Sequence, residues 1–189
     1  MPSRQIHFGA INVVMPAPHS PERYVQLFEQ AAATERIVKI RADWVGRLGT
    51  IRIEKDAGGS QVVMGDFYKY IELDATRDWF NVLKGAPAED GEIKSINIPQ
   101  HLKPHFQFVP FLFFPQTHRL VMVTKDGSDA ISVWQARTIL NRAFSDPEIF
   151  DQFGKMELTV EPQKDALDKI LNLPRLRSLD IVVTPPESR

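Results

Sequence analysis

The run FQFVPFLFFPQTHRLVMVTK, Phe106 to Lys125, limits what this chain can fold into more than any other stretch. It holds five of the twelve phenylalanines within nine residues. Phe106 and Phe108 alternate, Pro110 interrupts, Phe111 and Phe113 resume, and after Pro115 to His118 a second β-rich run follows from Leu120 to Val123. This pattern predicts an antiparallel hairpin at the centre of a sheet. Apolar residues at both parities predict a strand covered on both faces, because a strand with one wet face alternates apolar and polar more cleanly. On this reading the phenylalanines are core. Chemistry is then to be sought in the turn at Pro115 to His118 and on the polar faces of neighbouring strands.

A core of that kind needs chain length, and 189 residues supply it. A fold of about 150 residues already buries roughly 70% of its unfolded surface. With 43% hydrophobic and 25% charged residues the chain reads as an ordinary globular protein, one domain over 1–189. A formal net charge of -1 provides no global field toward nucleic acid or an anionic membrane, so any such binding uses a local patch. The absence of cysteine removes disulfides, thiolate catalysis and thiolate metal sites together. The N-terminus has no long apolar core of a signal peptide, and no apolar run reaches the roughly 18 residues of a membrane span. A cytoplasmic protein is expected.

Read in order, Gln5 to Met15 predicts a strand that Pro16-Ala17-Pro18 ends. Ser20-Pro21-Glu22 is a helix start, and Tyr24, Leu27, Phe28 and Ala31 share one face of the helix over 21–33. Ile37 to Arg41, Arg47 to Lys55 and Gln61 to Leu73 predict three strands, the last two joined through the Gly58-Gly59 turn. Asp74 to Leu83 reads as a short helix or irregular turn tucking Trp79 and Phe80 under the sheet, Gly85 to Gly91 as a surface loop, and Ile93 to Ile98 as strand-like. Asp129 to Phe144 is a second helix with a wide apolar face, and Pro147 to Phe153 is a short one capped by Gly154. Met156 to Glu161, Gln163 to Leu171 and Leu179 to Thr184 complete a C-terminal β-α-β unit, which implies a parallel crossover. The fold expected is α+β: a mixed, mainly antiparallel sheet around the Phe-rich hairpin, with about three main helices.

Catalytic signatures are weak. His101 and His105 have the gap of a two-histidine metal site, but Pro104 breaks the helix that would align them, so a solvated loop is expected. His7, His19 and His118 are scattered turn or surface residues. Glu89, Asp90 and Glu92 form a loop charge run, and Asp165 and Asp168 share a helix face with Lys164 and Lys169 beside them, the pattern of a salt-bridged solvent face. Gly58-Gly59 lacks the flanking pattern of a phosphate loop. The sharpest functional pattern is basic. Lys39, Arg41, Arg47 and Arg52 alternate away from Val38, Ile40, Ile51 and Ile53, which would lay a cationic stripe across paired strands. Such a stripe neutralises phosphates without reading bases. Arg175 and Arg177 form a second basic cluster. The competing reading is an ordinary wet sheet face with these cations paired to Glu54 or Asp66.

Taken together, FGAINVVM, PHSPERYVQLFE, INIPQHLKPHF with FFPQTHRLVM, DPEIFDQFGKMELTVEPQKDALDKIL and SLDIVVTPP resemble a bacterial domain-of-unknown-function family over nearly the whole chain. The last third, with Ser178-Leu179-Asp180-Ile181-Val182 leading to Pro185, is similar to the A protein of the phage lambda Rex exclusion system. The resemblance implies a role in conflict between bacteria and phages and, from the Rex protein, DNA binding with little sequence preference. Those relatives continue past the last strand whereas this chain ends at Arg189, so a helical extension that dimerises or binds DNA is expected to be missing. The resemblance carries over no catalytic residue. The function expected is therefore a non-catalytic phage-defence or exclusion module that binds or senses DNA or RNA. Two alternatives stay open: a subunit coupling a neighbouring effector enzyme to its trigger, and a metal-dependent nuclease using scattered carboxylates with His101 or His105. No cofactor and no membrane partner are expected, and a homo-oligomer is compatible with the sequence.

Overall fold

The computed structural model describes residues 7–73, 79–96, 98–99, 101–126 and 129–162. Its chain order begins with β1 (His7–Val14), α1 (Pro21–Ala33), β2 (Val38–Arg41), β3 (Trp44–Lys55) and β4 (Gln61–Ile71). An insertion carries β5 (Phe80–Asn81), β6 (Ala86–Pro87) and α2 (Asp90–Lys94). Then come β7 (Gln107–Phe114), β8 (Arg119–Asp126), β9 (Asp129–Ala130), α3 (Val133–Phe144), α4 (Pro147–Phe153) and β10 (Glu157–Glu161). The main sheet runs β10-β1-β8-β7-β4-β3-β2, with β9 added to β8, while β5 and β6 form a separate ribbon.

The fold is α+β, and every ladder among the described residues is antiparallel. The helix and strand expected over 163–171 and 179–184, and with them the parallel crossover, lie outside the described residues.

Local chemistry sets the helix ends. Ser20 accepts a hydrogen bond from the Arg23 amide at 3.4 Å, with Pro21 in the first turn. Ser132 caps α3 reciprocally with Gln135, so the helix starts at Val133 and not at Asp129. Asp129 and Ala130 instead extend the sheet opposite Asp126 and Lys125. Nor do Ile93 to Ile96 form a strand: α2 ends at Lys94, held by the capping box of Glu89 and Glu92.

One face of the sheet carries the core. Ile11 and Val13 of β1, Leu120 and Met122 of β8, Val109, Phe111 and Phe113 of β7, and Val63 and Phe67 of β4 all point into it, as register and burial agree. Helices α1, α3 and α4 cover this face with Leu27, Phe28, Ile139, Leu140, Ile149 and Phe153. Phe28 stacks on Phe113 with ring centroids 4.6 Å apart and meets Phe144 edge-on at 5.4 Å, while Phe67 lies 4.7 Å from Phe111. Gly65 is required here, because a Cβ at that position would fall 2.6 Å from both Ile51 and the Phe111 ring.

The opposite face breaks the expectation that the Phe-rich strand is covered twice. Phe111 and Phe113 are buried, but Phe108 is 48% and Phe106 56% exposed, as is Leu112 at 37%. Nor is Phe80 tucked under the sheet, being 65% exposed on the insertion ribbon.

Phe111→Ala or Phe113→Ala should cost about 3–5 kcal/mol in urea denaturation, and Phe108→Ala no more than about 1 kcal/mol. Equal losses at buried and exposed positions would contradict the one-sided packing.

Candidate nucleic-acid interface

The exposed sheet face is built by alternation. On β7 the residues between Val109, Phe111 and Phe113 turn outward, and their register partners follow them: Phe108 lies opposite Tyr68, Pro110 opposite Asp66 and Leu112 opposite Met64. On the other side Leu112 pairs with Val121, and Val123 pairs with Phe8, which is 59% exposed. A β-bulge in β3 between Leu48 and Ile51 restores the parity so that Arg47, opposite Tyr68, and Arg52, opposite Met64, both reach this face.

An aromatic chain runs along one end of it. Phe106 and Phe108 stack at 6.2 Å with an interplanar angle of 18°, and Phe106 meets Tyr68 edge-on at 5.3 Å. The Tyr68 ring lies against Gly49, where a Cβ would come within 2.6 Å of it, and its hydroxyl is 3.0 Å from Thr50 Oγ1. The bulge is therefore also what seats this ring.

The four strand cations expected to form a stripe divide into three situations. Lys39 and Arg52 are exposed and make no ion pair within 4.0 Å among the described residues. Arg47 is half-buried, bonded to Glu35 at 3.2 Å and set 6.0 Å over the Tyr68 ring. Arg41 is displaced: a bulge after Lys39 puts it opposite Trp44 and not on the side of Val45, where Lys39 and Arg47 lie. The pairing of Arg52 with Glu54 or Asp66 is not made as a direct bridge, although the Arg52 charge acts on Asp66. Elsewhere on this face Lys125 is exposed, while Arg119 is neutralised by Glu161 at 2.8 Å. Arg175 and Arg177 lie outside the described residues.

Burial shifts several groups around this face. It raises the Asp66 carboxyl above the usual range, with Arg52 opposing. It raises the Tyr70 phenol too, with Glu72 adding to the rise and Arg47 and Lys103 opposing it. It lowers Lys69, whose ammonium lies 4.5 Å over Trp44 and donates to the Ala130 carbonyl at 2.9 Å.

Other candidates resolve into structure. Glu89 and Glu92 bind Lys84 and cap α2. His101 and His105 are exposed, His105 in a left-handed turn with its ring 6.1 Å from Trp44. The Pro115 to His118 turn belongs to the core edge: the His118 carbonyl accepts from the Val13 amide at 2.7 Å, and its ring lies 5.1 Å from Tyr24 and 5.0 Å from His19. Asp165 and Asp168 lie outside the described residues. Among the described residues no group of three or more His, Asp or Glu side chains is placed to hold a metal ion, no charged side chain is fully buried, and no helix is long and apolar enough to cross a membrane. Sequence reasoning missed Phe8, Phe106 and Phe108 as surface groups.

Because Asp66 has a folded-state pKa above its unfolded one, the native state holds more protons through that window and stability falls as pH rises through it. Asp66→Asn should therefore raise the denaturation midpoint at neutral pH, and the gain should vanish below the ordinary carboxylate value of 3.8. A lowered midpoint at neutral pH would refute a burial-dominated carboxylate.

Comparison with curated protein sequences and with solved structures finds no match for this chain. A family model does match it, the domain of unknown function DUF4747, over residues 4–188, and the protein belongs to that family.

Proposed function

We propose that this protein is a non-catalytic module that binds single-stranded nucleic acid on the sheet face that no described helix covers, with little sequence preference. The observation that carries this reading is that one sheet face holds both rings and cations: exposed Phe106 and Phe108 with half-buried Tyr68 at one end, and Lys39 and Arg52, which make no ion pair among the described residues, on β2 and β3. A single strand offers flat, apolar bases and a phosphate at each step. Rings receive the former by stacking, sequence-tolerantly because every base has a π-face, and cations receive the latter. Duplex DNA hides its base faces, so the aromatic half of this surface would be unused on it. The near-neutral net charge is no obstacle, since the local cations act within a Debye length of about 10 Å. A place for the module in phage defence or exclusion rests on the resemblance of its sequence and is part of the same proposal.

Fluorescence anisotropy with single-stranded and duplex oligonucleotides over a salt series tests this. Single strands should bind more tightly, and Lys39→Ala or Arg52→Ala should each reduce the salt slope by about 0.7. Phe106→Ala or Phe108→Ala should weaken binding by about 1–3 kcal/mol with the slope unchanged. Absence of binding at low salt, or indifference to all four substitutions, would sink the reading.

A second reading, an interaction subunit for an effector protein, is favoured by the β5–β6 tip. Val82 is 80% and Leu83 95% exposed there. The turn is held rigid by Asn81, whose side-chain oxygen accepts from the Leu83 and Lys84 amides at 2.9 and 3.0 Å, and whose amide donates to Glu92 at 2.8 Å. Val82→Asp with Leu83→Asp should then abolish co-purification with the product of an adjoining gene while leaving the fold intact. Retained co-purification would remove the tip from consideration.

A further inference from the structure

The same open face holds a groove of about 280 Å³ that crosses five strands, with Phe8 at its β1 end and Arg52 at its β3 end. Between them Val121, Val123, Pro110, Leu112 and Met64 make the lining apolar. One feature is out of place in such a lining. Asp66 stands there half-buried, opposite Pro110 in the register, with the Arg52 charge acting on it and no direct ion pair among the described residues. A half-buried carboxylate set among apolar side chains has lost part of the water that would solvate its lone pairs, and a ligand offering hydrogen-bond donors along one edge would restore what burial removed.

We propose that this groove is the position for one unstacked nucleobase, and that the base it prefers is guanine. The inference rests on the reading of this face as a single-strand surface. The base lies against Pro110 and Leu112, its donor edge faces Asp66, and Arg52 takes an adjoining phosphate. Guanine is singled out by chemistry. Its ring N–H and exocyclic amino group are adjacent and parallel, matching the two oxygens of a carboxylate. Thymine and uracil present one N–H flanked by two carbonyl oxygens, which the carboxylate repels. Cytosine and adenine present an amino group beside an unprotonated ring nitrogen, so each makes a single bond and adds a repulsion. The remaining bases of the strand stack on Phe106, Phe108 and Tyr68 without discrimination, which keeps the overall sequence preference small.

The test uses the full chain and three oligothymidylates of about 15 nucleotides, within the range of known single-strand site sizes. One is pure thymidylate, one has a central guanine, and one has hypoxanthine in its place, which lacks the exocyclic amino group. The guanine oligonucleotide should bind about tenfold more tightly than the other two, the factor a good bidentate contact supplies. Asp66→Asn presents an amide in place of the carboxylate and should bring the guanine-to-thymidylate ratio close to one, and Asp66→Ala should do the same. Equal binding of all three oligonucleotides by the wild type would overturn the guanine position while leaving the single-strand reading standing. A guanine preference that survives both substitutions would overturn the role of Asp66. Failure of every oligonucleotide to bind would overturn both the position and the reading beneath it.

Discussion

The stack of Phe28 on Phe113, with Phe111, Phe67 and Phe144 around it, is the contact from which the rest of the structure follows. It ties α1 and α3 to the two strands at the middle of the sheet, and it consumes the aromatic residues of one parity of β7. Burying such rings supplies the largest apolar gain available to a chain of this composition. The described helices pack on this face and none of them covers the other. The open face is thus a consequence of how the core was completed.

That open face has an electrostatic character the net charge hides. Arg47 and Arg119 are absorbed by Glu35 and Glu161, which leaves Arg52, Lys39 and Lys125 among the described cations of this face with a field to offer. Asp66 sits among apolar neighbours near Arg52, a costly arrangement for stability alone. A buried or half-buried charge that helps neither packing nor an ion pair is the kind of local inconsistency that functional surfaces carry.

Much of the architecture was legible in the residues. Ser20-Pro21 and Asp146-Pro147 marked helix starts because proline at the first turn has no amide to lose, and α1 and α4 begin at Pro21 and Pro147. The Gly58-Gly59 turn joins β3 to β4 because Gly59 takes a positive φ of 82°. The 72–106 insertion was not legible: its segments are short, its apolar residues scattered, and α2 is set by a side-chain capping box that periodicity does not reveal. Of the interface, Lys39 and Arg52 were visible as alternating cations. The displacement of Arg41 depends on a bulge, and bulges follow from how two strands meet and not from either one alone.

By itself, then, the sequence determined the class of elements, most of their boundaries and the need for a Phe-rich strand deep in a sheet. These are local properties of proline, glycine and hydrophobic period. Only the tertiary structure decided which parity of that strand is core. Phe106, Phe108 and Leu112 are as apolar as Phe111 and Phe113, and a strand presents both sets alike until helices pack on one side of it. The choice between core and surface was made by α1, α3 and α4, elements remote in sequence whose volume fills one face of the sheet, the other being covered by no described helix.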